Sequence, residues 1–335
     1  MLIRFENRER WNMAKLHTWF KPALVGFWIY SAGYVLLLNF PAGAEPDRLA
    51  HRDLADLAGP VKQVRLEESW FSREGDQWQE GVAALVSDCT YSRDGILIER
   101  VDYSGGKQVS VRFLREYGED GRVSTEAKYM ADGRLLERVK YRYDGKGQVI
   151  QKDTYGADAA LRFSERYLYN ENGIRTEEHE SDANGLKRKR IFLYGDQGQL
   201  TEYADYNAQG EVQIREQHQF NGQGRQIRSF LLNKEGEVAA YWLHAYDDCG
   251  QVAEVLAYTK ARGLEMRRLY AYDDHGNLAG QTVYGAHGHF LSRELYAYEY
   301  DSRGNWIRRQ DWSARENERF KIPVRVLRRI IEYYD

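Results

Sequence analysis

Five aromatic residues, Tyr270, Tyr272, Tyr298, Tyr300 and Trp306, crowd one stretch of this 335-residue chain. Rings set among Asn, Gln, Arg and Asp can stack on sugars or receive a partner strand. They are the candidate ligand-binding residues, with carbohydrate or another envelope polymer as the ligand. The histidines offer less. His287-Gly288-His289 with His275 is the nearest approach to a metal cluster, and it reads as ordinary turn histidines. His218 and His244 stand 26 residues apart in the same repeat position, and an intervening strand separates such a pair by about 10 Å, beyond a shared metal. Asp247-Asp248 and Asp273-Asp274 lack the alternating ligand spacing of a calcium loop and read as solvated turn caps. The run Lys187-Arg188-Lys189-Arg190 reads as a solvated strand with Glu177, Glu178 and Glu180 as cross-strand partners. No G-x-S-x-G, G-x-x-x-x-G-K, H-E-x-x-H or C-x-x-C motif occurs. The sequence therefore points to a non-enzymatic protein with no cofactor, no metal and no catalytic residue.

The elements that carry these residues are set by a repeat. Gly95, Gly121, Gly147, Gly173, Gly198, Gly224, Gly250, Gly276 and Gly304 follow one another at intervals of 25 to 28 residues. Four residues before each stands an aromatic: Tyr91, Tyr117, Tyr143, Tyr169, Tyr194, Phe220, Tyr246, Tyr272 and Tyr300. A second series, Gly133, Gly185, Gly210, Gly236, Gly263 and Gly288, lies half a period later, with Lys107 and Ala159 in the glycine place of two turns. The unit is thus a strand and a turn of about 13 residues, doubled into a 26-residue hairpin. Met266, Arg268, Tyr270 and Tyr272 alternate with Arg267, Leu269 and Ala271, the period of a strand.

This spacing predicts an all-β, repetitive antiparallel meander of about 18 to 20 strands. Charged residues alternate with tyrosines on both faces, so no face is plainly apolar, and the expected form is an open, twisted, single-layer sheet. On that form Cys89 and Cys249 lie roughly 55–60 Å apart and remain free thiols. Replacing Gly276 by Val is expected to be costly, and the same change at Ala159 cheap, because that turn already lacks glycine.

The organisation follows. Residues 1–44 resemble a cleaved signal peptide: positive charges, an apolar run over 23–40, and a small-residue ending before the Ala44-Glu45 junction. The alternative is an uncleaved anchor over 23–40, and Met13 competes with Met1 as the start. Residues 45–84 read as an N-terminal cap, a short helix over 47–58 followed by an edge strand over 61–71. Repeats fill 85–312, and 313–335 form a C-terminal capping strand. Lys and Arg total 48 against 51 Asp and Glu, a net charge of −3 that excludes nucleic-acid binding by bulk charge. An exported, periplasmic or secreted protein of the cell envelope is expected.

Tyr270-Ala271-Tyr272-Asp273-Asp274-His275-Gly276-Asn277 and Tyr298-Glu299-Tyr300-Asp301-Ser302-Arg303-Gly304-Asn305 resemble the Tyr-Asp (YD) repeat of rearrangement-hotspot (RHS) and teneurin proteins, as does Tyr141 to Gly147. The resemblance covers about residues 85–312. It implies a hairpin-repeat fold of the small, exported, single-layer type and a carbohydrate-binding role, and it supplies no catalytic residue. The competing function is a protein–protein scaffold that uses the long sheet face or the terminal edges. A hydrolase would need a pocket that a flat sheet lacks.

Overall fold

The computed structural model describes residues 57–315 and 321–335. The expected signal segment and the expected helix over 47–58, apart from its last two residues, lie outside them. Leu57 and Ala58 themselves are not helical.

The described residues fold as strands joined by turns. They are β1 (Val61–Glu74), β2 (Gln77–Glu80), β3 (Ala84–Tyr91), β4 (Leu97–Gly106), β5 (Gln108–Tyr117), β6 (Val123–Met130) and β7 (Leu135–Tyr143). Next come β8 (Val149–Gly156), β9 (Leu161–Tyr169), β10 (Arg175–Asp182), β11 (Gly185–Tyr194), β12 (Leu200–Asn207), β13 (Val212–Phe220) and β14 (Gln226–Leu232). The last are β15 (Val238–Tyr246), β16 (Val252–Thr259), β17 (Gly263–Tyr272), β18 (Leu278–Gly285), β19 (Phe290–Tyr300), β20 (Trp306–Arg315) and β21 (Ile322–Tyr333).

The turns explain the glycine spacing. Asp273 N–H donates to the Asn277 carbonyl and Gly276 N–H to the Asp273 carbonyl, a three-residue loop closed by a residue at positive φ. The Asp273 carboxylate also accepts from the amides of His275 and Asn277. Asp144, Asn170, Asn221 and Asp301 do the same in their turns. This Asx arrangement favours Asp or Asn at the head of the loop. Ala159 corrects the expectation drawn from its side chain. It sits at φ +59°, in the left-handed region that its glycine counterparts occupy, so the turn keeps its geometry without glycine. At the other exception Gly105 and Gly106 take the positive φ and relieve Lys107 of it.

The expected open sheet is overturned at the termini. Each strand from β3 to β20 pairs antiparallel with the next, β20 pairs with β21, and β21 pairs with β1, which pairs with β3. The sheet is a closed antiparallel barrel of twenty strands, with β2 a short hairpin arm of β1. The segments read as an edge strand and a capping strand are the two sides of the closing seam. Among the described residues the twenty barrel strands leave no edge unpaired around the ring, which is how a barrel removes that liability. Over the seam, Ala58 N–H donates to Asn305 Oδ1 at 2.6 Å, and Asn305 Nδ2 donates to the Ala58 carbonyl at 2.9 Å and Tyr333 Oη at 2.7 Å. Leu57, Val61, Val64 and Tyr91 form an apolar cluster beside it.

Following the paired residues once around the ring from β17 returns to β17 about 22 residues before the start, a shear that tilts the strands by about 40°. Barrel strands coil with one hand, so the sense of this offset places Arg268, Tyr270, Tyr298 and Tyr300 on the inner wall and Arg267, Leu269 and Glu299 outside. Burial agrees: along β19 the inward residues are half-buried while outward Arg293, Ala297 and Glu299 are exposed. Twenty strands enclose more space than side chains fill, so the barrel holds an aqueous lumen. Cys89 and Cys249 are both free, as expected, but for a different reason. They lie eight strands apart by the shorter way round, about 38 Å along the wall.

Candidate functional site: the aromatic inner wall

The repeat tyrosines are first of all structural. Tyr117, Tyr143, Tyr169, Tyr246, Tyr272 and Tyr298 each donate the phenolic O–H to a backbone carbonyl 20 residues earlier: Leu97, Val123, Val149, Gln226, Val252 and Leu278. Each bond joins the end of one strand to the start of the strand before it and so ties neighbouring turns of one rim together. The last unit shifts this role from Tyr300 to Tyr298, because its glycine interval is 28 rather than 26. Tyr300 instead donates to the Asp273 carboxylate and accepts from Asn277 Nδ2 at 2.7 Å. Tyr333 repeats this with Asp301 and Asn305. Sequence reading missed this triad, although the Asn that follows Gly276 and Gly304 was its signal.

The five candidate residues are all half-buried. Tyr298, Tyr300 and Trp306 come together: the Tyr298 and Tyr300 rings lie 6.0 Å apart, and Tyr298 meets Trp306 edge-on at 6.3 Å. His275 stacks on Tyr300 at 3.7 Å, and the Arg329 guanidinium lies 3.7 Å from the centre of the Trp306 ring. Tyr272 donates its hydroxyl to the Val252 carbonyl at 2.9 Å. Tyr270 lies on β17, where its hydroxyl faces Arg268 Nη1 at 3.5 Å. Burial pushes the Tyr298, Tyr300 and Tyr272 phenols upward, so all three stay protonated donors at neutral pH.

The charges around the cluster are compensated. Arg309 bonds the two Asp311 oxygens at 2.8 and 3.0 Å, and Arg325 bonds Asp311 at 2.8 Å. Glu294 accepts from Gln281 and Tyr296 at 2.5 Å. The basic run on β11 finds partners on both faces: Lys189 with Glu177 at 2.8 Å outside, and Arg190 with Glu178, Arg188 with Asp205 inside. A second inner-wall group lies on β13 to β15. Burial drives Glu216 up to about 7 and His218 and His244 down to about 4. His218 Nε2 is 4.0 Å from Glu216, and Ser229 Oγ is 3.4 Å from His244 Nε2. His275 and the pair His287 and His289 lie on opposite rims. Among the described residues no His, Cys, Asp and Glu grouping is suited to a metal ion.

The outer face carries ion pairs in mid-strand: Arg112 with Glu99, Arg142 with Asp153 at 2.9 Å, Arg215 with Glu202 at 2.8 Å, and Arg267 with Glu254 at 2.5 Å. A lipid-facing barrel needs an apolar outer band about 25 Å tall. These pairs set charges where such a band would run.

The described chain is therefore an all-β hairpin-repeat protein closed into a barrel. No family model matches the sequence, and no curated protein matches it. Among solved structures the chain is similar to one described as TcdB2-TccC3-TEV, at 12% identity over 73% of this chain and 16% of that one, with a TM-score of 0.35. It is also similar to a porin-like protein from Bacteroides uniformis, at 8% identity over 82% of this chain and 99% of that one, with a TM-score of 0.37. A third is the Photorhabdus luminescens Tc holotoxin pore, at 15% identity, 73% and 16% coverage, and a TM-score of 0.29. The chain thus spans about a sixth of the toxin chains' length.

Proposed function

We propose that this is an exported, non-enzymatic protein of the YD-repeat type whose inner wall binds an extended carbohydrate or similar envelope polymer. The observation that carries the reading is the contiguous group of Tyr298, Tyr300 and Trp306 on the lumen side, with Tyr270 on the same wall. Aromatic faces beside hydrogen-bonding side chains suit sugar rings, which present an apolar face and a polar rim. Closure strengthens the reading, because a polymer inside the barrel meets a concave surface rather than a flat one. A scaffold role loses the terminal edges that it would have used. It keeps one supporting observation, the exposed Ile98, Ile150, Leu168 and Leu193 on the outer wall near one rim.

The test is a glycan array and titration with the purified protein and its Trp306→Leu variant. Binding of a polysaccharide that weakens at least tenfold in the variant, at unchanged melting temperature, is the expected result. Equal binding by both proteins, or binding to no glycan, contradicts it.

A further inference from the structure

Six inward-facing arginines of this barrel have carboxylate partners, and a seventh, Arg329, lies over the Trp306 ring. Arg100 bonds Asp102 at 2.7 Å, Arg115 bonds Glu126 at 2.6 Å, and Arg188 and Arg190 bond Asp205 and Glu178. Arg309 and Arg325 share Asp311. Arg268 departs from this pattern. Its cross-strand neighbours are Val255 on β16 and Val283 on β18. Its contacts are long: Nη1 to Tyr270 Oη at 3.5 Å and Nη2 to Met266 Sδ at 3.9 Å. Its Nε is buried and has no hydrogen-bond partner. A guanidinium is charged at every accessible pH, and a buried donor left unmet is costly. Between two valines, no carboxylate among the described residues pairs with it.

We propose that Arg268 is an anion-recognition residue and that the polymer bound in the lumen is acidic. A carboxylate or ester-linked sulfate would accept from Arg268 while an adjoining sugar ring lies on Tyr270. The planar fork of Arg suits either group, since both offer two oxygens at the right spacing. This inference rests on the polymer-binding reading and adds the charge of the ligand to it. It also explains why an arginine stands where valine neighbours would favour an apolar side chain.

The test uses four probes on the purified protein by calorimetric titration: an oligogalacturonate, its fully methyl-esterified form, dextran sulfate and dextran. Variants are Arg268→Met, which keeps the length without the charge, and Arg268→Lys, which keeps the charge without the fork. The acidic probes are expected to bind at least tenfold more tightly than their neutral counterparts. Arg268→Met is expected to abolish that preference while binding the neutral probes as before, and to melt no lower than the parent. Arg268→Lys is expected to retain part of the preference. Which acidic probe binds better separates a carboxylate from a sulfate ligand. Equal affinity for acidic and neutral probes, an acidic preference that survives Arg268→Met, or a lower melting temperature in that variant overturns the inference and leaves polymer binding standing. Binding of no probe by the parent protein overturns both.

Discussion

At the scale of the residue, backbone angle outranks side-chain identity. Gly276 at φ +83° and Ala159 at φ +59° hold equivalent turn positions. Gly276→Val and Ala159→Val should each destabilise by about 1–3 kcal/mol, since a β-branched residue fits the left-handed region poorly. Ala159→Gly should be neutral or stabilise by up to about 1 kcal/mol. Urea unfolding of the three variants checks this, and an inexpensive Ala159→Val would contradict the turn geometry. The glycine series made the turns legible in the sequence, whereas Ala159 was misread because composition does not report φ. A second prediction concerns Glu216. Its pKa is raised by burial from 4.5 to about 7, so the folded state holds the proton more tightly than the unfolded state. That contribution is present below about pH 4.5 and is lost as the pH rises through 7. His218 lies 4.0 Å away but is itself held neutral, and the facing residues are Tyr203 on β12 and Leu231 on β14. Glu216→Gln should therefore match the parent near pH 4.5 and exceed it by about 2–3 kcal/mol at pH 8. A difference independent of pH, measured by denaturation at both values, would contradict this.

At the scale of the element, the phenol-to-carbonyl bonds turn a row of hairpins into a stitched wall. Tyr143 donates to the Val123 carbonyl at 2.8 Å. Tyr143→Phe should cost about 0.5–1.5 kcal/mol, the net value of one such bond, and should speed amide exchange in the turns at 118–122 and 144–148. Unchanged exchange there would mean that the bond does not join the turns. The strands themselves were legible: the 13-residue period located them, and Met266, Arg268 and Tyr270 share a face as expected. The candidate site was legible in part. Tyr298, Tyr300 and Trp306 gather as their spacing allows. The Tyr272 and Tyr300 hydroxyls are already held, by the backbone carbonyl at 252 and by the Asp273–Asn277 pair.

At the scale of the whole molecule, closure was the feature that local pattern did not encode. An open ribbon and a wide barrel both leave two solvated faces, so the same alternation of charge and tyrosine serves either. What separates them is accumulated twist and the pairing of two strands more than 250 positions apart, β1 with β21. Closure also turns the tyrosine face from an exposed sheet into a lumen wall, on which both functional proposals depend. The seam can be measured directly. Arg65 and Ile330 are cross-strand partners there, both on the outer wall. In a background with Cys89 and Cys249 replaced by Ser, Arg65→Cys with Ile330→Cys should form an intramolecular disulfide on mild oxidation, in monomeric protein at an undiminished melting temperature. An open sheet would place the two positions about 90 Å apart, against a disulfide limit of about 7 Å between Cα atoms. Two free thiols, or crosslinks only between molecules, would contradict the closed barrel.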